Sequence, residues 1–282
     1  MLLLLQGKRA FTQVEDARGA VAKAKTSPDQ KGTTRAVIVG LTPSGINDAK
    51  LFKRYLIEVA HVPQDQVNCL TGPEAGAKNT YAALKSMVVA AQPGDMLYFY
   101  FSGDSRYSDF FEESESLLLT AQAIPGDTHM GAPGILPLGD VIRLLDKAAS
   151  RKVSIRYIVD TNKAKDSAAN ARKNLETLQA RTQKNQLFLA AAPGMQSYCN
   201  PDSQLGYFTY YLILGLSGAA DLNADDQVSY SEIDDFLYDN LTAVTGGKQM
   251  PLSPALPGEI MVSLKPGDRE KALQKLKKTT VE

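Results

Sequence analysis

Few residues in this 282-residue chain could act as a nucleophile or a base. It holds two Cys and two His, namely Cys69, Cys199, His61 and His129. Two polar segments each follow an apolar run: Ser102-Gly103-Asp104-Ser105 comes after residues 96–101, and Asp160-Thr161-Asn162-Lys163 after residues 153–159. Covalent catalysis needs an activated nucleophile and a partner that titrates near neutrality. Asn162 carries an amide that neither ionises nor attacks. Asp104 carries a carboxylate with an ordinary pKa of about 3.9, far below that of an imidazole. It could orient a water, but its sequence neighbours supply neither a second carboxylate nor a metal for a different hydrolysis.

The remaining thiols and imidazoles read more plainly. Cys69 lies among apolar neighbours, as an inert buried thiol does. Cys199, in Met195-Gln196-Ser197-Tyr198-Cys199-Asn200, is the alternative nucleophile, and a pairing with His129 stays open. His61 and His129 sit in polar turns and read as solvated.

One further segment has ligand spacing. From Asp221 to Glu232, oxygen donors fall at positions 1, 3, 5, 9 and 12 of a twelve-residue calcium loop. The candidate ligands are Asp221, Asn223, Asp225, the Gln227 carbonyl, Ser229 and Glu232. Position 6 is Asp226 where such loops use Gly; Asp tolerates the required positive φ better than most residues. The competing reading is an Asx-rich turn that caps the following helix. Calcium is therefore the only cofactor the sequence suggests, and none is required.

Composition narrows the function classes. Thirty-one Lys and Arg balance 31 Asp and Glu, which argues against a dedicated nucleic-acid binder. Two Cys exclude a disulfide scaffold and a four-Cys zinc site. No apolar run approaches the roughly 20 residues of a membrane-spanning helix. Met1 to Leu5 is apolar, but Lys8 and Arg9 follow it instead of preceding it, unlike a secretory leader. The compartment is not fixed: a soluble cytoplasmic chain is the simpler reading, and a periplasmic one requires a removed leader.

The elements that must position these residues alternate. Strands are expected at 35–40, 66–70, 96–101, 117–121, 153–159, 186–191 and 259–264. Helices are expected at 10–25, 47–59, 79–91, 138–149, 166–181, 208–216, 231–241 and 268–278. Asn47 or Asp48 is the expected cap of the second helix. Strands separated by helices imply an α/β fold with a mostly parallel sheet covered on both faces. The working residues then belong on loops at the carboxyl ends of the strands. Residues 1–32 read as an extension and linker, 33–266 as the domain, and 267–282 as a charged tail or helix.

Taken together, these segments resemble the caspase-like cysteine peptidases, in particular bacterial members of metacaspase or orthocaspase type. The likeness runs from about Arg35 to Leu264. It rests on Val37-Ile38-Val39-Gly40 before Asn47-Asp48-Ala49, on Pro93-Gly94-Asp95 before Tyr100-Phe101-Ser102-Gly103, and on Tyr157-Ile158-Val159-Asp160. Leu189-Ala190-Ala191-Ala192, Gly206-Tyr207-Phe208-Thr209 and Gly218-Ala219-Ala220-Asp221 extend it. The resemblance implies a three-layer α/β/α sandwich. It also places the family's catalytic His on Asp104, its catalytic Cys on Asn162, and the following His on Lys163. Asp160 retains a carboxylate that in the family helps line the pocket for a basic residue. The expected function is a catalytically degenerate homologue that binds a protein or peptide partner. A peptidase using Cys199, or an inactivated form of an active enzyme, is the alternative.

Overall fold

The computed structural model describes residues 32–108, 115–124, 131–163, 186–191, 195–252 and 259–279, with backbone alone at 107, 108, 115, 162, 163, 186, 187 and 275–279. The expected helices at 10–25 and 166–181, and His129, lie outside the described residues.

Five strands form a parallel sheet in the spatial order β2 (Val67–Thr71), β1 (Thr34–Gly40), β3 (Met96–Ser108), β6 (Ser154–Lys163) and β7 (Gln186–Leu189). Two short antiparallel strands complete seven: β4 (Glu115–Leu119) pairs onto the far end of β3, and β5 (Ile135–Pro137) onto β4. Apart from the sheet, β8 (Cys199–Asn200) pairs with β9 (Leu205–Gly206), and β10 (Gln227–Ser229) with β11 (Ile260–Ser263).

Because side chains alternate along a strand, β3 feeds two cores at once. Tyr98 and Tyr100 join Ile38, Ile158 and Phe188 on one face. They pack against Phe52 and Leu56 of α1 (Pro43–Glu58), Phe208 and Leu212 of α4 (Tyr207–Leu214), and Ile233 and Leu237 of α5 (Tyr230–Thr245). Leu97, Phe99 and Phe101 join Val37, Val39, Tyr157 and Val159 on the other face, under Leu84 of α2 (Ala77–Ala90) and Ile142 and Leu145 of α3 (Leu138–Ala149). The result is the expected three-layer α/β/α sandwich. The terminal helix α6 (Asp268–Thr279) places Ala272 in the first of these cores. No helix among the described residues is long and apolar enough to cross a membrane.

Of the boundaries that differ from expectation, three bear on the site. Helix α1 starts at Pro43, four residues early, because Thr42 caps it by accepting from the Gly45 N–H at 3.1 Å. Asp48 is thus inside the helix and buried, not a cap. Strand β3 does not stop at Phe101 but runs to Ser108, since β4 supplies new ladder partners to residues 105–108. Strand β6 continues with it to Lys163. Asp104 and Asn162 therefore stand on paired strands and not on loops.

Candidate functional site

The carboxyl ends of β3 and β6 open into a cleft of about 210 Å3 lined by residues of α1, β3, β6, the 195–199 segment and β9. Helix α1 closes tightly on β3: a Cβ on Gly45 would lie 2.4 Å from the Ser102 carbonyl oxygen. That approach delivers Asp48 to the sheet edge. Its carboxylate accepts from the Gly206 N–H (2.8 Å, Oδ1) and from the Ser102 hydroxyl (3.0 Å, Oδ2).

Asp160 reaches the same place from β6, where it is level with Ser102 of β3. Its Oδ1 accepts from Ser197 Oγ at 2.6 Å and its Oδ2 from Thr209 Oγ1 at 2.8 Å. A hydroxyl has one proton to give, so Thr209 must in turn accept from Tyr100 Oη, 2.6 Å away. Gln249 fixes the 195–199 segment by donating to the Ala190 carbonyl (2.9 Å) and Ser197 Oγ (3.3 Å) and accepting from the Tyr198 N–H (2.9 Å).

The two carboxylates are 2 % and 5 % exposed. Among the described residues every donor to them is neutral, and no Lys, Arg or His forms an ion pair with either. Burial pushes Asp48 up to about 8, and the neighbouring Asp160 charge adds to the rise. Burial raises Asp160 as well, against the pull of the Ser197 and Thr209 donors. Arg156, the buried cation further back on β6, is committed to the Tyr98 hydroxyl, the Tyr230 hydroxyl (3.0 Å) and the Met261 carbonyl (3.0 Å).

The residues singled out from the sequence fall as follows. Asp104 lines the cleft and is exposed, and its Cα partner across the β3–β6 ladder is Asn162. Lys163 stands one step on, level with Ser105. Cys199 is exposed on the rim, opposite Gly206 in the β8–β9 pair, and no imidazole lines the cleft with it among the described residues. Cys69 is partly buried on the edge strand β2, and burial raises its thiol. His61 is exposed, against Lys265 Nζ.

The acidic loop keeps the backbone expected of it. Asp226 has φ 61°, and Asp225 Oδ1 accepts from the Gln227 N–H at 2.9 Å. The Asp225 N–H is shared by Asp221 Oδ1 and Asn223 Oδ1. Glu232, however, is engaged in capping α5: Oε2 accepts from the Ser229 N–H at 2.9 Å while Ser229 Oγ accepts from the Glu232 N–H at 3.2 Å. Asp221 is fully buried beside Arg269, whose Nε lies 3.7 Å from Oδ2. Among the described residues no three His, Cys, Asp or Glu side chains are grouped to hold a metal ion.

Sequence reasoning missed Asp48 as a site residue, along with the hydroxyls on the two carboxylates: Ser102 on Asp48, and Ser197 and Thr209 on Asp160. One signal was available. Asp48 falls four residues before Phe52 on the stripe of α1 that carries Ala49, Phe52 and Leu56. A carboxylate on the buried face of a helix calls for a reason.

No protein-family model and no curated protein matches the sequence. Solved structures do match the fold. Protein GSU0716 from Geobacter sulfurreducens superposes with a TM-score of 0.53 at 15% identity, over 83% of this chain and 94% of that one. Caspase-1 from Spodoptera frugiperda superposes with a TM-score of 0.50 at 10% identity, over 87% of this chain and 96% of that one. The chain has a caspase-like fold.

Proposed function

We propose that this chain is a non-catalytic caspase homologue of bacterial metacaspase type, which works by holding a basic side chain of a protein or peptide partner between Asp48 and Asp160. One observation carries the reading: two buried carboxylates face one cleft, and among the described residues only neutral donors surround them. A guanidinium supplies the missing charge, and its forked donors suit two carboxylates at once. A cleft of about 210 Å3 holds roughly seven waters at ~30 Å3 each, space for one long side chain. Asp104 and Asn162 stand where the resemblance puts His and Cys, and neither can form a thiolate or an imidazolium. Phosphate backbones would be repelled by the carboxylates of this cleft, so a nucleic-acid partner is not proposed.

Cys199 on the rim favours a second reading, a peptidase with a relocated nucleophile. It ranks behind the first because the described cleft residues offer it no imidazole.

Calorimetric titration with N-acetyl-arginine amide and with arginine-containing peptides tests the proposal. Saturable binding that is lost in Asp160→Asn, with every peptide recovered intact, is the expected result. Turnover that disappears in Cys199→Ala would establish the peptidase instead. Failure of every cationic probe to bind would remove the cleft from consideration.

A further inference from the structure

The Asp48–Asp160 pair has a consequence for how any cation enters. Their Oδ2 atoms lie 2.8 and 2.9 Å from one point, the place a Cβ would take on Gly206. Both side chains are nearly sealed from water. Two like charges held this close in a poorly solvated cleft do not both persist unless a cation joins them; otherwise one proton is shared, as in other carboxylate dyads. Neutral hydroxyl and amide donors lower the cost of one carboxylate but do not cancel a second charge.

Among the described residues, several titratable and polar groups face the pair besides Ser102 and Ser197. Strand β3 contributes Tyr100 and Asp104, and the rim segment contributes Tyr198 and Cys199. Helix α4 adds the Thr209 hydroxyl, and β9 the Gly206 N–H. Burial and the two carboxylates hold Tyr100 well above its ordinary value, so it stays a neutral donor. Asp104 adds negative charge at the mouth. No Lys, Arg or His lines the cleft among the described residues.

Resting on the binding reading above, we propose that the empty cleft stores one proton between Asp48 and Asp160 and that a cationic ligand enters in exchange for it. The balance is simple. A carboxylic acid and a carboxylate, carrying one negative charge, meet one guanidinium. The product is two carboxylates around the guanidinium, and the proton leaves to solvent. Charge is conserved, and no bond other than the O–H bond is broken. The cleft is therefore a site whose occupancy depends on pH although the arginine ligand itself does not titrate.

The test is calorimetry with N-acetyl-arginine amide at pH 7 in buffers of different ionisation enthalpy. About one proton should be released per ligand bound. Affinity should rise by close to tenfold per pH unit from pH 6 and level off near pH 8, where Asp48 titrates in the empty protein. Asp48→Asn should abolish the release and flatten the profile. Should that variant fail to fold, aspartate-carboxyl 13C NMR on the unliganded wild type serves: one Asp should titrate several units above the rest. Binding with no proton release and a flat profile would overturn the exchange and leave the binding site standing. An NMR titration with every Asp below pH 6 would overturn it too. No binding anywhere from pH 6 to 9 would remove the site and the exchange together.

Discussion

Asp48 on the first helix and Asp160 on the fourth parallel strand of the chain meet across Gly206, each presenting Oδ2 within 3 Å of the place a Cβ would take on that glycine. Gly206 has ordinary backbone angles, φ −61° and ψ 129°. What its missing side chain provides is space alone. Gly206→Ala is therefore expected to wedge a methyl between the carboxylates. It should cost about 1–3 kcal/mol of stability, as overpacking does, and weaken arginine-amide binding by more than tenfold. Binding that survives unchanged in a folded Gly206→Ala protein would place the ligand elsewhere.

Peptide cleavage is expected to be absent. Substrates with Arg, Lys or Asp before the scissile bond should show no turnover with or without calcium, and Cys199→Ala should change nothing. Mass spectrometry of the incubated peptides checks this directly.

Stability should fall as pH rises through the range in which the buried pair loses its shared proton. The folded value of Asp48 is raised to about 8 from an ordinary 3.8, so the folded state holds more protons than the unfolded chain between those limits. Its contribution is complete below about pH 4 and is lost as pH passes 8. Asp160, raised in the same sense by burial, adds to the slope. Melting temperatures from pH 5 to 9 should decline in the wild type and decline less in Asp48→Asn.

Calcium is expected to bind the 221–232 loop weakly, because Glu232 must leave the cap of α5 to serve as a ligand. Millimolar calcium should raise the melting temperature, magnesium should do much less, and Asp221→Ala should abolish the rise. An unchanged melting curve would leave capping as the loop's whole role, in which case Ser229→Ala, which removes the cap, should cost about 1 kcal/mol.

Much of the fold was legible in the sequence because each signal was local. Short, aromatic-rich apolar runs such as residues 96–101 are typical of strands buried on both faces, and helices alternating with them favour a parallel sheet. Local patterns likewise placed Asp104, Asn162 and Asp160 near strand ends. Their extents were not local. Strands β3 and β6 continue past their apolar cores because β4 and each other's backbones supply hydrogen-bond partners, a condition no window of sequence contains. Asp48 is the sharpest case. Asn47-Asp48 reads as a helix start when only neighbours in sequence are considered, since a short acidic side chain satisfies free N–H groups there. Thr42 takes that role instead, and the carboxylate turns inward to meet the Gly206 N–H, 158 positions away. The sequence alone determined that two acidic residues were available. Only the packing of α1 on β3 decided that they would share one cleft, because the cost of burying them depends on which distant donors arrive with them.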